Sequence, residues 1–271
     1  PIGSLNKSHI RSLLNYAKFA WLGGLRNRSF NSVDIAVLGV FVSSSLVGIY
    51  TASWNIAMFL ILFSGSLSST LFPEISRLSA EGKAKEVSRL VNAALSYAGL
   101  FLIPGLVGSL LLGERILRIY GEEFTTGATV LSVLIIACLI QSYQKQLVNT
   151  LNAIDRPEIA FRVNLVFIVA NLMFNLGLIY LYGVLGAAVA TGLAVFISLV
   201  LAYLSLRQIL DFTVPYAEIA RQWIAALLMG AVVYGGLWIE STYRLLGHNF
   251  ATVLILVGIG AVVYFLALLA I

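Results

Sequence analysis

Two arginines and an aspartate stand in the middle of an apolar stretch. The segment "GGLRNRSFNSVDIAVLG" (23–39) carries Arg26, Arg28 and Asp34, with apolar sequence on both sides. Gly23, Asn27, Asn31 and Asp34 are spaced four, four and three apart, so a helix gathers them into one narrow stripe with Arg26 beside it. A second stretch repeats the device with Gln141, Lys145, Asn149 and Asn152, and Gln144 lies alongside. A third carries Asn164, Asn171 and Asn175. The spacing predicts a hydrated, net-positive cavity between three helices, in which Arg26, Arg28, Asn31, Asp34, Gln141, Lys145 and Asn149 are the candidate binding residues. The catalytic alternatives lack material. His9 and His248 both fall outside the apolar stretches, Cys138 is the sole cysteine, and no glycine-rich phosphate loop follows a strand. No catalytic residue, metal ligand or cofactor is therefore expected.

Each polar residue also has a structural alternative. Asp, Lys and Arg at membrane depth cost about 2.5–3.5 kcal/mol each on insertion scales, so they turn toward a bundle interior or a partner. Asp34 can pair with Arg26 or Arg28 and join helices. Lys145, ten residues before Asp155, can extend to the interface, as can the two arginines if they lie nearer the boundary. The asparagines of the third stretch can serve as hydrogen bonds between helices.

The elements that must position these residues follow from composition. The chain is 60% hydrophobic and 11% charged, with mean hydropathy +0.96, whereas a soluble domain is about a quarter charged. It reads as an all-α membrane protein. A span needs about 20 apolar residues, and eight candidates occur, at 13–40, 47–73, 91–112, 126–153, 161–181, 184–206, 222–239 and 250–271. With the N-terminus inside, eleven Lys and Arg residues fall on inner segments and three on outer ones, which places both termini in the cytoplasm. The basic residues thus report topology, and no nucleic-acid partner is expected. The charged stretch 74–90 reads as an amphipathic connector along the inner surface. Pro104 should kink the third span, with Gly105 easing the bend. Gly186, Ala190, Ala194 and Ser198 form a small-residue ridge that admits another helix closely.

Several stretches together resemble a known family: "VDIAVLGVFVSSSLVGIYTASWNIA", "LFPEISRLSAEGK", "ILRIYGEEFTTGATVLSVL" and "LNAIDRPEIAFRVNLVFIVANLMFNLGLIYLYGVLGAAVATGL". They look like the second half of a polysaccharide or lipid-linked oligosaccharide flippase of the MATE-like superfamily (Wzx type). The resemblance covers about 15–210 and rests on the ordered series, with "GIY" opening one helix and "YG-x-x-GAA-x-AT" opening another. It implies a cytoplasmic linker over 1–12, one six-helix lobe of a MATE-like fold over 13–211, and two further helices over 212–271. It also implies that the chain, which starts without methionine, is a fragment whose first lobe belongs to the same or another chain.

Under the resemblance, the expected function is a flippase in the cytoplasmic membrane that moves a polyprenyl-linked glycan across the bilayer, with a proton or sodium as candidate coupling ion. Arg26 and Arg28 would then meet the phosphate or pyrophosphate of the carrier, for which cationic side chains are natural partners. Two other functions stay open. One is a cation-coupled multidrug antiporter of the same superfamily, with Asp34 as the coupling carboxylate. The other is a membrane-embedded glycan transferase or ligase, although the longest loop is only about 17 residues.

Overall fold

The computed structural model describes residues 34–243 and 248–271. Arg26, Arg28 and Asn31, with most of the first expected span, lie outside them. A short helical segment over 34–41 comes first. It is followed by α1 (Ser44–Ala80), α2 (Ala84–Ala98), α3 (Leu102–Leu117), a 3-10 turn (Glu122–Gly127), α4 (Ala128–Ala153), α5 (Pro157–Arg207), α6 (Tyr216–Tyr243) and α7 (Asn249–Ala270). Among the described residues six helical runs are long and apolar enough to cross a membrane, α2 and α3 counting as one. The count of eight expected from the sequence is thus not reached among the described residues.

Part of the difference lies in α5, which folds back on itself. Asn171 Nδ2 donates to Thr191 Oγ1 at 3.2 Å, and Ser198 Oγ donates to the Val163 carbonyl at 3.3 Å. Residues twenty positions apart on one straight helix would be separated by roughly 30 Å. The reversal occurs at Gly183, whose φ of 57° and ψ of −130° are non-helical and suit a residue without Cβ. The two expected spans 161–181 and 184–206 are therefore the arms of one antiparallel hairpin. The small-residue ridge lies buried on the second arm. Lipid tails are as apolar as leucine, so such helices associate through close packing and polar contacts rather than hydrophobic burial. Gly186 supplies the closest approach, since a Cβ there would sit 1.9 Å from the Leu178 carbonyl oxygen.

The bend attributed to Pro104 appears one turn upstream. Helical bonds lapse across Gly99–Phe101, between α2 and α3. Proline has no N–H to offer the carbonyl four residues back, that of Leu100, and its ring crowds that turn. The connector over 74–90 differs from the expectation of one surface helix. Glu81–Lys83 breaks it at a turn with Gly82 at φ 70°, so its first half prolongs α1 and its second half opens α2. Val87 and Val91 bury that second half in a core shared with Leu147 and Leu151 of α4.

In tertiary terms α4 is the hub, packing against α1, α2, α3 and the α5 hairpin, whereas α6 and α7 pair with each other and lie on α3. One half-buried ion pair ties this C-terminal pair down, Arg115 Nη2 to Glu240 Oε2 at 2.6 Å. Beside it Asn249 Nδ2 donates to the Arg115 carbonyl at 2.7 Å.

Candidate binding site

Asp34 opens the helical segment over 34–41 and is buried. Its carboxylate accepts hydrogen bonds from three other segments. On one oxygen, Tyr50 Oη of α1 donates at 2.7 Å and Thr191 Oγ1 of the second α5 arm donates as well. On the other, Asn175 Nδ2 donates at 2.6 Å and Asn171 Nδ2 at 3.4 Å, both from the first α5 arm. Asn171 and Asn175 reach the same carboxylate because four residues is about one helical turn. The fold-back at Gly183 brings Thr191 level with them. All four partners are themselves almost fully buried.

This arrangement assembles what the sequence had kept apart. Asp34 shares one site with Asn171 and Asn175 of the third stretch, which donate to its carboxylate, whereas Asn164 is not among its partners and its amide oxygen is buried without one among the described residues. Tyr50 and Thr191 were not singled out as site residues, yet the signal was present. Tyr50 is the tyrosine of "GIY" and Thr191 the threonine of "YG-x-x-GAA-x-AT". Among the described residues the partners of Asp34 are neutral. The side-chain amide oxygens of Asn171 and Asn175 are buried with no partner among the described residues. The site thus offers a carboxylate, two phenol or hydroxyl oxygens and two amide groups that can present either oxygen or NH2.

The α4 residues form a different cluster. Lys145 is half-buried, and its Nζ lies 3.4 Å from where a Cβ on Gly65 of α1 would stand. Gln141 is buried with Oε1 unpartnered among the described residues, and Asn149 is half-buried. Their neighbours carry structural bonds. Gln146 accepts from Ser68 Oγ at 2.6 Å and donates to the Ser64 carbonyl, and Gln144 donates to Ser198 Oγ at 2.9 Å. On α1, Gly65 stands fifteen residues beyond Tyr50, roughly 22 Å along the axis. Asp34 and Lys145 therefore sit at different depths. A cavity of about 630 Å³ opens elsewhere, between α1, α3, α4 and the C-terminal pair, with Phe59, Phe63, Phe101, Ile135, Val233 and Phe265 among its walls.

The family model for the lipid II flippase MurJ matches residues 1–257. The chain belongs to the MurJ family. Its relatives include a Haloferax volcanii protein named "Probable flippase AglR", 36% identical over 98% of this chain and 56% of the relative. Another from the same organism is named "Probable low-salt glycan biosynthesis flippase Agl15", 30% identical over 83% of this chain and 48% of the relative. Among solved structures it is similar to lipid II flippase MurJ in an inward closed conformation, with TM-score 0.76, 19% identity, and coverage of 97% of this chain and 55% of that one. An outward-facing multidrug resistance MATE transporter of the MOP superfamily gives TM-score 0.58 at 17% identity, over 91% of this chain and 59% of that one. The chain therefore has the MurJ/MATE-like all-helical fold and is a multi-pass membrane protein of a transporter family. It spans about half the length of the relatives it matches.

Proposed function

We propose that this chain is the second lobe and two C-terminal helices of a flippase that carries a polyprenyl-linked oligosaccharide across the cytoplasmic membrane. The observation that carries the reading is the MurJ-family match over 1–257, with relatives named as flippases of glycan biosynthesis. The eleven-to-three bias of basic residues supports cytoplasmic termini. On this reading 1–12 is a linker, 13–211 the lobe, and the first lobe comes from the same or another chain. The apolar cavity suits a prenyl chain. On α3 it runs from Pro104 to Ile116, roughly 18 Å at helical rise, a little over half the thickness of the hydrocarbon core. Arg26, Arg28 and Lys145 are the cations for the phosphate groups of the carrier, with Asn31, Gln141 and Asn149 beside them.

Asp34 is the natural seat of a coupling ion, a proton or sodium. Amide groups can be turned over without change of shape. Turned so, Asn171 and Asn175 would add two oxygens to those of Asp34, Thr191 and Tyr50, a hard-oxygen set of the kind alkali and alkaline-earth cations take. The same carboxylate would serve the antiporter reading, which the MATE likeness keeps as second choice. Glycan export in a host lacking its own flippase tests both. With the full-length protein, Arg26→Ala and Arg28→Ala together should abolish export while the protein still reaches the membrane. Normal export by the double variant removes the case for an anionic carrier. Cation-driven drug efflux that Asp34→Asn stops, in a wild-type protein that exports no glycan, favours the antiporter, whereas glycan export left intact by Asp34→Asn removes Asp34 as the flippase's coupling site.

A further inference from the structure

Four side chains donate to Asp34, and they differ in how readily each can turn its hydrogen away. An ionised carboxylate accepts only, so every one of these contacts is a donation to it. A cation seated on the carboxylate needs lone pairs facing it instead. The amides of Asn171 and Asn175 present oxygen after a half-turn that keeps their shape. The Thr191 hydroxyl turns about a single bond.

Tyr50 has neither freedom. Conjugation keeps a phenolic O–H near the plane of its ring, so the hydrogen follows the ring. The ring itself is fixed. Tyr50 is 1% exposed and belongs to a core that includes Leu131, Leu134 and Cys138 of α4. It lies nearly parallel to Trp54, with 8° between the planes and 6.3 Å between centroids. From this position Oη donates to Asp34 Oδ2 at 2.7 Å. The phenol therefore competes with a cation for Oδ2. Two oxygens of Asp34 and one each from Thr191, Asn171 and Asn175 make a cation's oxygen set without it.

Tyr50 also differs in origin. It belongs to α1, whereas the other three donors come from the α5 hairpin. Because α1 packs mainly on α4 and meets α5 little, the Tyr50 hydroxyl is its polar tie to the site among the described residues. The same helix carries Gly65, against which Lys145 Nζ rests.

We propose that the Tyr50 hydroxyl is a latch: it holds the Asp34 carboxylate against a coupling cation and ties α1 to the site while it does so. The proposal rests on the reading of Asp34 as the seat of that cation. A cation that binds must open the latch, and by linkage a latch already open raises cation affinity. Hydrogen bonds from a hydroxyl to a carboxylate are of the stronger, charge-assisted kind, so loss of this one should tighten cation binding about tenfold or more.

The test is the sign of one conservative change. Tyr50→Phe keeps the ring and its stacking and deletes the hydroxyl. Thermal unfolding of the full-length protein in detergent is followed as Na+ replaces choline, with Asp34→Asn as the reference for loss of the site. Tyr50→Phe should melt below wild type in choline, reach the wild-type Tm at saturating Na+, and show a Kd for Na+ about tenfold lower. Thr191→Val, which removes an oxygen of the cation's set, should raise that Kd. A deficit in Tyr50→Phe that persists at saturating Na+ with the wild-type Kd would make Tyr50 a structural bond and overturn the proposal. A raised Kd would make the phenol a ligand and overturn it too. In both outcomes Na+ still stabilises wild type and not Asp34→Asn, so the cation seat survives. Wild-type protein that gains nothing from Na+, or no more than Asp34→Asn gains, would remove the seat and the latch together.

Discussion

Gly186→Ala should break the α5 hairpin, although it adds a single methyl group. The new Cβ would stand 1.9 Å from the Leu178 carbonyl oxygen, 2.4 Å from its carbon and 3.0 Å from Ile179 N, where ordinary contact begins at 3.4 Å. These are main-chain atoms of the opposite arm, so no rotamer change can clear them. The arms must part by about 1.5 Å, which is enough to lengthen the Asn171–Thr191 and Ser198–Val163 bonds beyond hydrogen-bonding range. Overpacking against movable side chains costs about 1–3 kcal/mol, so a clash with backbone belongs at or above the top of that range. Gly177→Ala is the internal control. It sits on the same hairpin with nothing within 4 Å of its Cβ position, and by helix propensity it should gain up to about 1 kcal/mol. Thermal unfolding by size-exclusion chromatography in detergent should place Gly186→Ala roughly 6–12 °C below wild type, with Gly177→Ala at or above it. Equal melting of the two variants would refute the close approach, and with it the fold-back at Gly183.

Asn175→Leu removes the 2.6 Å donor from a buried carboxylate and should cost about 1–3 kcal/mol, read as a lowered Tm; wild-type melting would mean that Asp34 is held elsewhere. Arg115→Ala leaves Glu240 without its partner, and because both groups keep some solvent the loss should be about 1–2 kcal/mol rather than that of a fully buried pair. Removing Glu240 as well should cost less than the two single losses combined, and strict additivity would deny the pairing. Single cysteines in a Cys138→Ala background should label from outside at positions 44 and 183, and only after permeabilisation at 82 and 213; the reverse pattern overturns the orientation. For the arginines, Arg26→Lys and Arg28→Lys keep the charge but lose the bidentate fork, so glycan export should fall only partly, and export no better than that of the alanine variants would show that charge alone does not suffice.

The sequence by itself determined the class of molecule and the faces of its helices. Few charges and long apolar runs exclude a soluble core, and Gly183 in "LYGVLG" marks a turn because a tight reversal favours a residue without Cβ. Residues spaced by a helical turn share a face whatever the tertiary fold, so Asn171 with Asn175 and Gly186 with Ala190 were legible as stripes. What no stripe states is which face it meets. Tertiary structure decided that Asp34 is enclosed by donors from α1 and both arms of α5. It turned the small-residue ridge toward its own hairpin partner, and it set Lys145 against Gly65 at a depth far from Asp34. The stripes were read as lining a single net-positive cavity, because spacing along a chain and a count of charges carry no information on depth. Among the described residues the structure separates Asp34, walled by neutral donors, from Lys145 on α4. The separation arises because helical periodicity fixes rotation about an axis, whereas the level at which helices meet is set by packing between residues far apart in the chain.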